Sequence, residues 1–208
     1  MKLISRLQYI TTNATHAEQA CKGGVDWIQL RLKGVDYADY KKVALEVQAI
    51  CKKYNAKLII NDNVALAMDI YSDGVHLGKE DMFPEDAKGL LGDGFIIGCT
   101  ANTYDDVAEL ATKDIDYIGL GPFRYTTTKA NLKPILGLDG YKNILTKVKA
   151  NGYNVPPIVG IGGVKHMDVS SLLNTGLHGL AISGAISNAD DVIGSARQFN
   201  ELINSSLV

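Results

Sequence analysis

Two aspartates stand at matching places in the chain. Asp62 closes the run IIND (59–62), and Asp81 closes HLGKED (76–81). Each follows a short apolar run of β character, AKLIIND and DGVHLG. If these runs are neighbouring strands, both carboxylates sit at one edge of a sheet. Such a pair suits a hard divalent cation, and a hard cation suits phosphate.

Cations and polar groups recur at the same kind of position. In Gln29-Leu30-Arg31-Leu32-Lys33, two-residue alternation sets Gln29, Arg31 and Lys33 on one side. Arg31 and Lys33 there call for anions, or they form a solvated cationic pair at a strand end. Asp62, which follows Asn61, is equally a candidate N-cap for the helix VALAMDIY. His76 lies inside a strand pattern and reads as a core or barrel-interior residue rather than a metal ligand. Thr100 ends FIIGCT, and Cys99 beside it reads as a small core residue, since no base is placed to activate it. The stretch Arg124-Tyr125-Thr126-Thr127-Thr128-Lys129 offers hydroxyls and a cation to a phosphate, or is a solvated threonine-rich loop. GIGG (160–163) and ISGA (182–185) bring backbone N–H groups close to an anion at a helix start. Together these imply a metal–diphosphate at one end of a site and a monophosphate at the other.

The elements that must position these residues alternate along the whole chain. Eight apolar runs read as strands, from LQYITT (7–12) to HGLAISGAI (178–186), and eight segments of helical spacing lie among them. The clearest helix is YADYKKVALEVQAICKKY, with Tyr40, Val43, Leu45, Val47, Ile50 and Cys51 as its apolar face. The strands are continuously apolar, as strands covered on both faces should be. A doubly wound sheet shares this alternation, but eight units favour an α/β fold of the closed (β/α)8 TIM-barrel type. Residues 1–208 read as one such domain, with no linker or low-complexity tract.

Composition agrees. The 208 residues are 46% hydrophobic, enough for one core, and the net charge of −2 argues against a nucleic-acid binder. Three scattered cysteines without metal spacing fit a reducing compartment. Neither a secretion segment nor a membrane span is legible, so the expectation is a cytoplasmic protein acting on small molecules.

QLRLK, IIND followed by GVHLGKED, DYIGLGPFRYTTTK, GIGG and LAISGAI, in that order, resemble the thiamine phosphate synthase/thiazole tautomerase family over nearly the whole chain. The resemblance implies a (β/α)8 barrel. It also implies a synthase that joins hydroxymethylpyrimidine diphosphate to hydroxyethylthiazole phosphate with release of diphosphate. By resemblance, Gln29, Arg31, Lys33, Asn61, Thr100 and Lys129 hold the pyrimidine diphosphate, and Arg31 and Lys129 stabilise its departure. Asp62 and Asp81 bind Mg2+. Thr126, Thr128, Gly163 and the Ser183–Gly184 backbone take the thiazole phosphate. The chain departs from the family pattern at Leu32, Asn63, Lys79 and Ser183–Gly184, and its first loop, TTNATH, is short. The rival tautomerase activity needs a histidine where this chain has Pro122. A non-catalytic phosphate binder would have little use for both acids. A homodimer is compatible with this reading.

Overall fold

The computed structural model describes residues 2–125 and 134–205. Eight parallel strands close into a barrel in sequence order, with the first pairing the last. They are β1 (Leu7–Thr11), β2 (Trp27–Leu30), β3 (Lys57–Asn61), β4 (Gly74–Leu77), β5 (Ile96–Ala101), β6 (Tyr117–Leu120), β7 (Ile158–Ile161) and β8 (Gly179–Ile182). The helices around them are α1 (Ala14–Lys22), α2 (Tyr37–Tyr54), α3 (Val64–Ile70), α4 (Pro84–Leu91), α5 (Tyr104–Leu110) and α6 (Gly137–Ala150). A 3-10 turn (His166–Asp168) leads into α7 (Val169–Leu173). α8 (Gly184–Ser187) and α9 (Val192–Ser205) follow β8. The short α8 has no counterpart in the sequence reading, because a single turn leaves no periodicity to detect. None of the described helices is long and apolar enough to cross a membrane.

Alternation along each strand sorts side chains into two layers. Ile28, Leu30, Leu58, Ile60, Val75 and Leu77 face the helices and join the large outer core. Ile10, Trp27, Ile59, Ile96, Tyr117, Val159 and Ala181 fill the lower barrel interior. Both faces are therefore buried, which is why the strands read as unbroken apolar runs.

The long helix is α2 in full, but its inner face differs from expectation. Tyr40, Ala44, Val47, Gln48 and Cys51 are buried, whereas Leu45 is 45% exposed. At 3.6 residues per turn, Leu45 lies roughly 140° round from Tyr40, outside the stripe that touches the sheet. Tyr40 and Tyr141 clamp the barrel from outside. Tyr40 Oη donates to Leu30 O (2.8 Å) and Asn61 O (3.2 Å), joining the ends of β2 and β3. Tyr141 on α6 donates to Leu120 O (2.6 Å) and reaches Ile161 O (3.3 Å), joining β6 and β7. Burial pushes the Tyr40 phenol up to about 12, so it stays protonated and donating.

Candidate active site

The C-terminal ends of the strands open onto a cavity of about 900 Å3. Gln29, Arg31, Lys33, Asn61, Asp62, Asp81, Thr100, Gly163, Ser183 and Gly184 all line it. Thr126, Thr128 and Lys129 lie outside the described residues; Tyr125, just before them, is on the cavity wall. β2 ends at Leu30, so Arg31 and Lys33 sit beyond the strand proper, although Arg31 N still donates to Thr11 O (2.9 Å).

The acidic wall is built by a sharp turn. Asn63 N donates to Asn61 O (2.8 Å), which closes a three-residue turn centred on Asp62 at φ 64°. A left-handed non-glycine residue of this kind is uncommon and strained. Asp62 is not the helix cap: Asn63 caps α3, its side chain accepting from Leu66 N (2.8 Å). Asp62 is thereby freed to face Asp81, whose Oδ2 accepts from Gly78 N (2.6 Å). The two carboxyl groups are within hydrogen-bonding reach, and Lys33 pairs with Asp62. Burial, then the neighbouring Asp62, raise Asp81 above the usual carboxylate range. Burial also acts to raise Asp62, but its hydrogen bond with Asp81 and the Lys33 ammonium outweigh that and hold it low.

This wall fits Mg2+. Two hard oxygen donors held together can share a cation between them, beside the Lys33 ammonium that already pairs with Asp62. Among the described residues no group of three or more His, Cys, Asp or Glu side chains forms a self-sufficient metal cage. Mg2+ is characteristically held by one or two carboxylates, with substrate phosphates and water completing the shell.

The cavity floor is a polar chain across the barrel. Gln29 Nε2 donates to Gln8 Oε1 (3.0 Å), and Gln8 Nε2 donates to Tyr117 Oη (3.1 Å). Tyr117 Oη meets His76 Nδ1 (2.9 Å), and His76 Nε2 meets Thr100 Oγ1 (3.0 Å). His76 is thus a barrel-interior residue, but it also reaches the cavity. Asn61 Nδ2 is buried without a hydrogen-bond partner. An orphaned buried donor costs about 1–3 kcal/mol, so Asn61 is poised for a ligand acceptor. His166 is directed elsewhere: its ring stacks on Phe199 (3.8 Å) and contacts Ser195 O (3.1 Å) on α9. Cys99 is buried and its thiol is pushed up to about 12, which leaves no thiolate for chemistry.

Opposite the acids, β7 is followed by Gly162 (φ 102°) and Gly163 (φ 67°), and Ser183 and Gly184 open α8. The first N–H groups of a helix have no partner within it, so the start of α8 offers donors to an anion.

The family model described as thiamine monophosphate synthase matches residues 3–186. The chain belongs to the thiamine monophosphate synthase family. A thiamine-phosphate synthase of Flavobacterium johnsoniae is 43% identical, covering 99% of this chain and 100% of that protein. One of Phocaeicola vulgatus is 45% identical over 89% of each. Among solved structures, thiamine phosphate pyrophosphorylase of Pyrococcus furiosus superposes with a TM-score of 0.85. It is 27% identical, with 98% of this chain and 97% of that one covered.

Within the thiamine monophosphate synthase family pattern, three of the departures seen in the sequence have a local physical setting. Asn63 serves as the α3 cap. Leu32 packs on the outer core. Lys79 lines the cavity and is tied to Asp106 of α5, which also accepts from Asn102 N (2.7 Å) and Thr103 N (3.0 Å). Asn102 is a cavity residue that sequence reasoning missed. Its Nδ2 donates to Gly121 O (2.6 Å), holding the end of β6 against β5. The only sequence signal for it is its place just past a strand end.

Proposed function

We propose that this protein is a thiamine phosphate synthase, a transferase that couples hydroxymethylpyrimidine diphosphate to hydroxyethylthiazole phosphate. The observation that carries the reading is the division of one cavity. Asp62, Asp81, Arg31 and Lys33 stand at the β2–β4 side, and the glycine ends of β7 and β8 stand half a barrel away. That suits two phosphorylated substrates whose reacting rings meet between the two walls.

Asp62 and Asp81 would hold Mg2+, which when bound supplies positive charge to the diphosphate. Arg31 and Lys33 add their cations to the same group, with Asn61 Nδ2 as a donor and Thr100 as a hydroxyl partner. The bond from the pyrimidine methylene carbon to the diphosphate oxygen breaks, and the electron pair leaves with the diphosphate. The thiazole nitrogen then gives its lone pair to that carbon. No proton is removed, so no general base is required. What the chain supplies is charge neutralisation and alignment. Gly163 and the Ser183–Gly184 backbone would hold the thiazole phosphate, and Thr126 and Thr128 would join them. A cytoplasmic location fits substrates of this kind.

Lys129 is assigned to the departing diphosphate from its place in TTTK. Loss of one charge-assisted donor used in the transition state costs about 2.7–4 kcal/mol, so Lys129→Ala should lower kcat roughly a hundredfold or more. Steady-state kinetics check this, and a near wild-type rate would remove Lys129 from the mechanism.

Incubation with both phosphorylated substrates and Mg2+ should yield thiamine phosphate. Tautomerisation of the carboxythiazole phosphate should not be accelerated, because Pro122 on the cavity wall has no titratable group. His166→Ala should leave synthesis unchanged, since that ring is packed on α9. Tautomerisation without coupling would overturn the reading. Its loss on changing His76 would name that residue as the proton carrier.

A further inference from the structure

The connection after β6 does more than lead away from the barrel. Residues 122–124 run beside the end of β7 as a strap. Phe123 N donates to Ile161 O (2.8 Å), and Arg124 N donates to Gly162 O (3.0 Å). The Arg124 side chain then turns back, and its Nη1 donates to Gly163 O (2.8 Å). Three successive carbonyls are therefore drawn toward the strap. In a planar trans peptide the N–H points opposite to the C=O of the same unit. The N–H groups of Gly162, Gly163 and Val164 are thus turned the other way. All three residues line the cavity, and these N–H groups have no protein acceptor among the described residues.

A buried carboxylate fixes the guanidinium that completes this arrangement. Arg124 Nη1 and Nη2 donate to the two Asp168 oxygens (2.6 and 3.0 Å), a bidentate pair. Asp168 also accepts from Lys165 N (2.8 Å), so it pins the far side of the same loop. The close approach requires glycine. A Cβ on Gly163 would lie 2.5 Å from Arg124 Cγ, and one on Gly162 would lie 2.7 Å from Pro122 Cβ.

We infer that Arg124, locked by Asp168, is a positioning residue that sets the β7 peptides as an anion nest for the phosphate monoester of the thiazole substrate. Consecutive N–H groups aimed at one point bind anions only when their peptide planes are held. Arg124 holds them without touching the ligand. This assignment rests on the reading of the cavity proposed above.

The test compares Arg124→Lys, Arg124→Met and Asp168→Asn with the unaltered protein. In Arg124→Met, KM for the thiazole phosphate should rise about ten- to a hundredfold, as expected for losing charged hydrogen bonds. KM for the pyrimidine diphosphate and kcat at saturation should stay within about twofold. Arg124→Lys should recover part of the loss, and Asp168→Asn should follow Arg124→Met. Inorganic phosphate, as a competitor of the thiazole phosphate, should weaken in the same proportion. A general loosening of the fold would raise both KM values together, and that result overturns the inference. So does an unchanged thiazole KM. If Arg124→Met or Asp168→Asn does not fold, Arg124→Lys alone decides. If the unaltered protein makes no thiamine phosphate, the synthase reading fails. Calorimetric titration with inorganic phosphate then still judges the nest, and equal affinity in the unaltered protein and Arg124→Lys would refute it.

Discussion

Asp62→Asn is expected to lower kcat/KM by roughly a hundred- to a thousandfold, and excess chelator should do the same to the unaltered protein. The two carboxyl groups are within hydrogen-bonding reach, and burial and the neighbouring Asp62 raise Asp81 above the usual carboxylate range. Asparagine keeps the shape but removes the anionic oxygen that would hold Mg2+. A metal contributes several kcal/mol of charge stabilisation, and each 1.36 kcal/mol is tenfold in rate. The loss should come without unfolding. Asn63, not Asp62, caps α3, and the turn is closed by backbone. Thermal unfolding alongside a thiamine phosphate assay separates the two effects. Full activity in excess chelator would take the metal out of the reaction.

Gly98→Ala is expected to give the largest loss of stability for a single added methyl at the cavity floor. Gly98 leaves room for the Tyr117 ring, and a Cβ there would lie 2.1 Å from Tyr117 Cζ. Tyr117 cannot step aside easily. It packs edge-on against Trp27 (4.8 Å between centroids) and its hydroxyl joins Gln8 to His76. Overpacking of a closed core costs about 1–3 kcal/mol, at about 2–4 °C per kcal/mol for a chain of this size. A melting temperature lower by roughly 2–12 °C should therefore accompany weakened activity, because His76 bonds the Tyr117 hydroxyl and Thr100 bonds His76. An unchanged melting temperature and rate would mean that the barrel interior is looser than its packing implies.

The barrel was legible because its strands are buried on both faces and its turns are polar, so the eight-fold alternation survives in one dimension. The acids were legible for a related reason. Asp62 and Asp81 each follow a strand, and parallel strands carry their ends to one rim. What could not be read is side-chain aim. Asp62 and Asn63 are both good caps, and only the three-residue turn decides that Asn63 takes that role. His76 lies inside a strand pattern and His166 just past GIGG, but no local pattern shows that one reaches Thr100 and the other stacks on Phe199. Arg124 looked like one more cation in a polar loop. Its partner Asp168 is far away in the chain, and no local pattern joins them.

The turn at Asp62 also bears on how this protein would respond to selection. A left-handed non-glycine residue carries about 1–3 kcal/mol of strain, whereas glycine at φ 64° carries almost none. Selection for heat resistance alone would therefore favour glycine at position 62 and discard the carboxylate. If Asp62 holds Mg2+ as proposed, selection for growth without supplied thiamine would restore it. On the proposed metal-holding role of Asp62, the position sets durability against turnover at a single backbone angle.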